Sequence, residues 1–145
     1  MRKVLFFMSL TALFMMTSCT DESKDSKDPA KSRMSFLKGK DYFYNNQIDE
    51  ALKYFDEAIK YDDKNFEAYY YRGCAYSNNF KNDLAMQDWN KAIELKEDYA
   101  DPYFNIGLLY RRKNDYSMAC YYFKLAEKYG RQNMEDYVKY CDYYE

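Results

Sequence analysis

An all-α fold, built as a stack of near-identical helical hairpins, is predicted by three features of the chain. The first is a period. Gly39, Tyr42, Ala51, Phe55 and Ala58 recur 34 residues later as Gly73, Tyr76, Ala85, Trp89 and Ala92, and again as Gly107, Tyr110, Ala119, Phe123 and Ala126. Matching positions at one fixed step mark a repeat array, in which each unit buries its apolar face against the next. The second is spacing inside each unit, as in Ala51, Tyr54, Phe55, Ala58 and Ile59, the i, i+3, i+4, i+7 pattern of a helix with one buried stripe. The third is punctuation: four Gly and two Pro leave little room for β-turns.

Taken in order, the units predict seven helices. Ser32–Asn45 and Ile48–Tyr61 form the first hairpin, and Phe66–Asn79 with Asp83–Leu95 the second. Pro102–Lys113 and Tyr116–Tyr129 form the third, where Asp101-Pro102 reads as an N-cap followed by proline at the first helical position. Met134–Tyr144 is a seventh helix: Tyr137, Tyr140, Cys141 and Tyr144 repeat the first-helix register, with the acidic residues Asp136, Asp142 and Glu145 beside them. No partner helix follows, so residues 134–145 read as a cap with a wet outer face. The glycines fall mid-helix, where glycine costs about 1 kcal/mol relative to alanine. That cost at one register predicts a close helix crossing, with Ala51, Ala85 and Ala119 on the opposing surface. Tyr42, Tyr76 and Tyr110 are expected to fill the next layer against Phe55, Trp89 and Phe123.

These positions resemble the tetratricopeptide repeat family, with repeats at 32–65, 66–99 and 100–133 in a domain of residues 32–145. Tyr69 and Tyr103 take the family's early aromatic place, which Ser35 does not. The closing proline is replaced by Asp63, Glu97 and Arg131. The resemblance implies an α-solenoid of three hairpins plus a capping helix, whose concave groove binds a protein or peptide partner. It places in that groove Phe36, Lys40, Phe43 and Tyr44 from repeat one. Tyr70, Cys74, Ser77 and Asn78 follow from repeat two, and Phe104, Leu108, Arg111 and Arg112 from repeat three. The capping helix adds Val138 and Asp142 to the same stripe. The ladder Phe36, Tyr70, Phe104 either lines the groove floor or completes packing between first helices. Some family members grip a C-terminal carboxylate with a Lys/Asn/Asn/Lys/Arg clamp. This chain has Phe36, Lys40, Tyr71, Asp101 and Asn105 at those places, so the clamp is absent, and a segment with apolar side chains and some acidic charge fits better.

The N-terminus has another logic. Arg2 and Lys3 precede the mostly apolar run Val4–Met16, which is too short to span a bilayer and has signal-peptide proportions. Met16-Thr17-Ser18-Cys19 resembles the lipobox of bacterial lipoproteins. That resemblance implies cleavage after residue 18, lipidation of Cys19, and a cell-envelope protein; Thr20 directly after the cysteine fits the outer membrane. The acidic stretch beyond it resembles the surface-export signal of some Bacteroidetes lipoproteins. Residues 19–31 then read as a lipidated cysteine and a disordered polar tether.

Composition excludes much. With no histidine there is no Ser-His or Cys-His dyad and no imidazole ligand, and no GxxxxGK[ST] or GxGxxG occurs. No catalytic residue, metal site or cofactor is expected. A net charge of −2, more negative once Arg2 and Lys3 leave with the leader, offers no basic face for nucleic acid. Cys74, Cys120 and Cys141 remain after lipidation, an odd number. Cys141 shares the register of the glycines, which suggests core packing, and no spacing rule requires a Cys120–Cys141 bridge. Two functions follow: a lipid-anchored scaffold that docks a protein segment in envelope assembly or secretion, or a surface lipoprotein whose aromatic groove takes glycans or other small molecules.

Overall fold

The computed structural model describes residues 27–139 and 141–143; the leader and Cys19 lie outside the described residues. Six helices pair into three hairpins: α1 (Pro29–Tyr44) with α2 (Ile48–Tyr61), α3 (Phe66–Asn78) with α4 (Asn82–Leu95), and α5 (Ala100–Arg112) with α6 (Tyr116–Lys128). A single turn, α7 (Glu135–Val138), and a 3-10 turn at Cys141–Tyr143 close the array. There is no strand among the described residues.

The glycines do what their register predicts. A Cβ built on Gly39, Gly73 or Gly107 would lie 2.6–2.7 Å from Phe55, Trp89 or Phe123. The aromatic ring fills the crossing in each hairpin. The alanines stand behind it, with the Ala85 and Ala119 carbonyls 3.1 and 3.2 Å from the added atom. The next layer differs from expectation. Tyr42 stacks on Tyr54 (5.2 Å between centroids, 9° between planes) and Tyr110 on Tyr122 (5.5 Å, 8°), rather than on Phe55 and Phe123. The middle repeat has Asp88 at that register, and Arg72 Nε and Nη2 donate to its carboxylate at 2.8 and 2.7 Å.

Each hairpin turn closes with a residue at positive φ: Asn46 (59°), Phe80 (57°) and Asn114 (61°). The next residue's amide then donates back five positions, as Gln47 to Tyr42 (2.9 Å), Lys81 to Tyr76 (2.9 Å) and Asp115 to Tyr110 (3.0 Å). Asparagine tolerates this conformation; Phe80 holds it with its side chain exposed. Between repeats one and two, Asn65 accepts from the Ala68 amide, capping α3, and donates to the buried Ser32 hydroxyl at 2.9 Å.

Several boundaries depart from expectation. The first helix starts at Pro29, inside the segment assigned to the tether. Asp28 caps it by accepting from Lys31 N (3.0 Å), and the Asp28 amide donates to the Tyr61 carbonyl at the end of α2. Asp101 is not a cap: α5 begins at Ala100, which leaves Pro102 in the first turn, where its missing N–H costs nothing. The seventh helix is one turn rather than the run Met134–Tyr144. The chain reverses through Gly130 (φ 92°) and Asn133 (φ 58°), and Cys141 then bonds to Cys120, with their Cα atoms 5.3 Å apart. Cys141 is buried as its register implies, but within a disulfide.

Candidate functional site

The first helices of the three hairpins line one side of the stack. There, Phe43, Tyr44, Tyr70, Cys74, Ser77, Asn78, Leu108, Arg111 and Arg112 surround a cavity of about 520 Å³, joined by Tyr71, Trp89 and Asn105. Most of the residues expected in the groove are therefore brought together. Five are not. Phe36 (1% exposed) packs against Phe55 and Tyr71, and Phe104 (8%) against Phe123 and Tyr137, so both rings serve packing rather than the groove floor. Lys40 stands outside the lining, its ammonium over the Phe36 and Tyr71 rings at 5.5 and 5.1 Å. In the cap, Val138 packs toward the core and Asp142 pairs with Lys124.

Tyr71 and Asn105 had a sequence signal. They occupy one register, 34 residues apart, and fall at two of the places of the family's carboxylate clamp. Trp89 had none, because its register marks the buried crossing with Gly73.

Polar contacts shape the wall. The Tyr44 and Tyr71 hydroxyls meet at 3.1 Å, and Asn105 Nδ2 donates to the Tyr70 hydroxyl and the Cys74 sulfur, both at 3.4 Å. Arg112 Nη2 reaches the Ser77 hydroxyl and Asn82 Oδ1 at 3.5 Å. The Arg111 guanidinium lies over the Tyr137 ring at 5.2 Å. The twelve lining residues include two arginines and no carboxylate. Burial pushes the Cys74 thiol up to about 11, outweighing the donors of Trp89, Tyr70 and Asn105, so it stays a neutral thiol.

Burial likewise raises the phenols of Tyr70, Tyr71 and Tyr99 well above their ordinary value of 10.0. The sign follows. Below 10 these phenols are neutral in both folded and unfolded chains and stability is complete. Above it, the unfolded chain ionises while the folded one resists, so stability falls as pH rises. Alkaline titration is expected to show exposed tyrosines ionising first. The buried set should follow in one steep step that coincides with loss of helical circular dichroism. Independent, gradual ionisation with full helicity retained would contradict this.

Known proteins resemble the chain along its whole repeat region. A family model described as TPR repeat matches residues 39–79 and 81–114, and one described as tetratricopeptide repeat matches 100–133. Hsp70-Hsp90 organizing protein 2 of Arabidopsis thaliana is 27% identical over 122 residues, which cover 83% of this chain and 21% of that protein. DnaJ homolog subfamily C member 3 of Gallus gallus is 38% identical over 61 residues, 42% of this chain and 12% of that protein. The chain thus spans about a fifth or less of these relatives' length. Among solved structures, the first TPR of Spaghetti (RPAP3), bound to the HSP90 peptide SRMEEVD, superposes with a TM-score of 0.72 at 20% identity, over 80% of this chain and 94% of that one. MamA superposes with a TM-score of 0.65 at 26% identity, over 70% and 60%. These structural likenesses speak to the fold.

Proposed function

The chain belongs to the tetratricopeptide repeat family, and from that premise we propose that it is a lipid-anchored adaptor holding a protein segment in its concave groove. The observation that carries this is the cavity between the first helices: aromatic walls, an apolar floor at Leu108, and two guanidiniums that meet no carboxylate among the described residues. A surface of this kind, with aromatic and arginine anchors around a pocket, suits a segment with apolar side chains and some acidic charge. The Spaghetti domain was solved with a peptide, which supports the same mode of use. A sugar would need flat, open ring faces. Tyr70 instead spends its ring on edge contacts with Tyr71 and Tyr99, at 5.2 and 5.0 Å, which favours a peptide.

The anchor rests on the leader, Cys19 and the polar stretch after it. A lipid there concentrates the groove at the envelope membrane, with the outer membrane the favoured site and envelope assembly or secretion the setting. The short tether lets the groove search near its attachment point. Cys19→Ser is expected to move the protein out of the membrane fraction after a carbonate wash, because stable anchoring needs buried acyl chains. Retention of the mutant with the membranes would count against lipidation.

The groove itself is tested by displaying random twelve-residue peptides to the full-length chain. Binders are expected whose affinity falls about tenfold or more with Leu108→Arg, which puts a charge on the half-buried floor. Binders indifferent to Leu108→Arg, or none at all, would overturn the reading.

A further inference from the structure

The first helix turns to solvent a face that the other two first helices bury. At the 34-residue step, Met34 and Asp41 correspond to Ala68 and Ala75 in α3 and to Pro102 and Leu109 in α5. Ala68 and Ala75 are buried in one cluster with Phe55 and Ala58 of the preceding hairpin, and Pro102 and Leu109 are buried as well. No hairpin precedes α1 among the described residues, so Ala30, Met34 and Leu37 lie exposed on one side of its N-terminal half. The end of a repeat array ordinarily shows water a polar face. Here the register that takes alanine and proline where it packs takes a larger methionine where it does not, 60% exposed.

Charge departs at the same place. Residues 27–38 carry Lys27, Lys31, Arg33 and Lys38 against Asp28, a net +3, where the equivalent stretches 61–72 and 95–106 are net −1 and −2. Lys27 meets Asp63, Lys31 meets Asp28, and Arg33 meets Glu67, in pairs largely open to solvent. Such pairs contribute little, so these cations remain available to an anionic surface.

The reach of the chain says which surface that is. With Cys19 lipidated, seven residues, 20–26, separate it from Lys27. Fully extended, they hold Lys27 within about 29 Å of the anchor. They are Thr, Asp, Glu, Ser and Lys, and bring no apolar side chain to cover the strip. The apolar phase within reach is the bilayer itself. A second copy on this face would set the same basic side chains against each other.

We propose that the N-terminal half of α1 is a membrane-docking surface: Met34 and Leu37 seat at the interface of a bilayer with anionic headgroups, and Lys31 and Lys38 beside them meet the phosphates. The proposal rests on the reading that Cys19 carries lipid, and it adds a second attachment that fixes which way the groove faces. Phe43 and Tyr44, which line the groove, stand at the other end of α1 and stay open.

The experiment uses the full-length lipidated chain, purified from membranes and incorporated into vesicles of phosphatidylethanolamine and phosphatidylglycerol with brominated acyl chains. A fluorophore is attached at Met34→Cys or, in a matched control, at Tyr121→Cys, two positions 60% and 57% exposed in the first and last hairpins. Labelling falls on the introduced cysteine, since the Cys74 thiol stays neutral. Bromine is expected to quench the label at 34 about threefold or more strongly than the label at 121. Lys31→Glu with Lys38→Glu should remove the difference, because each basic side chain near an anionic surface is worth about fivefold in affinity. Vesicles of phosphatidylcholine should remove it too. Equal quenching at the two positions, or a difference indifferent to headgroup and lysines, would overturn the docking and leave the lipid anchor standing. Disulfide pairing of unlabelled Met34→Cys chains, without quenching of the labelled one, would put a second copy on this face and overturn the docking likewise. A chain that does not float with the vesicles would overturn both.

Discussion

Deleting residues 134–145 is expected to abolish a stable cooperative fold or lower its melting temperature by tens of degrees. Met134 is 2% exposed, and Tyr137 packs edge-on against Phe104 (4.8 Å) and tilted against Phe123 (5.2 Å). Burying side chains of this size stabilises by roughly 1.5–3 kcal/mol each. The Cys120–Cys141 bond spans 21 residues, and closing a loop of that size removes unfolded-state entropy worth about 3 kcal/mol. Together these amount to much of the stability of a small domain, which is about 5–15 kcal/mol. The two contributions separate experimentally. Cys120→Ser with Cys141→Ser keeps the packing and should lose the cross-link alone, lowering the melting temperature by roughly 10 °C in calorimetry. The wild type in reductant should match the double mutant. A deletion that melts like wild type would mean that the last residues do not cap the array.

Asp88→Ala is expected to destabilise by about 3 kcal/mol, because it strands a guanidinium inside the second hairpin. Asp88 is 6% exposed and receives two of the Arg72 donors; the third bond, from Nη1 to Asp56 at 2.6 Å, reaches a carboxylate near the surface. Burial opposes the Arg72 charge, and Asp88 and Asp56 outweigh it, holding the guanidinium protonated. The repeat register supplies the rescue. Where repeat two has Arg72 and Asp88, repeat three has Ile106 and Tyr122, and repeat one has Lys38 with its ammonium 5.6 Å from the Tyr54 ring. Arg72→Ile combined with Asp88→Tyr should therefore recover most of the loss, since it installs the pairing of the third hairpin. A double-mutant cycle by chemical denaturation checks this. An uncoupled, additive result would show that the pair does not act as a unit.

What could be read from the chain itself was whatever the period repeats. Gly39, Gly73 and Gly107 announce a close crossing because a cost recurring at one register needs a shared cause, and the crossing with Phe55, Trp89 and Phe123 is that cause. Hairpin number, helix order and the family follow from the same step. Most of the groove was legible too, since residues 34 apart stand side by side in a stack. What escaped depended on small rotations. Successive helix positions lie about 100° apart, so the face that lines the groove and the face that packs between helices are neighbours. Phe36 and Phe104 spend their rings against Phe55 and Phe123, while Tyr71 and Asn105, one position further round, reach the cavity. Trp89 reaches the same cavity from the hairpin crossing. The broken cap was hidden for a related reason. The heptad-like run Tyr137, Cys141, Tyr144 looks helical, but a disulfide forms only where two Cα atoms come within bonding reach. The reversal through Gly130 and Asn133 brings Cys141 to 5.3 Å from Cys120, and that is a matter of three-dimensional approach rather than of spacing along the chain.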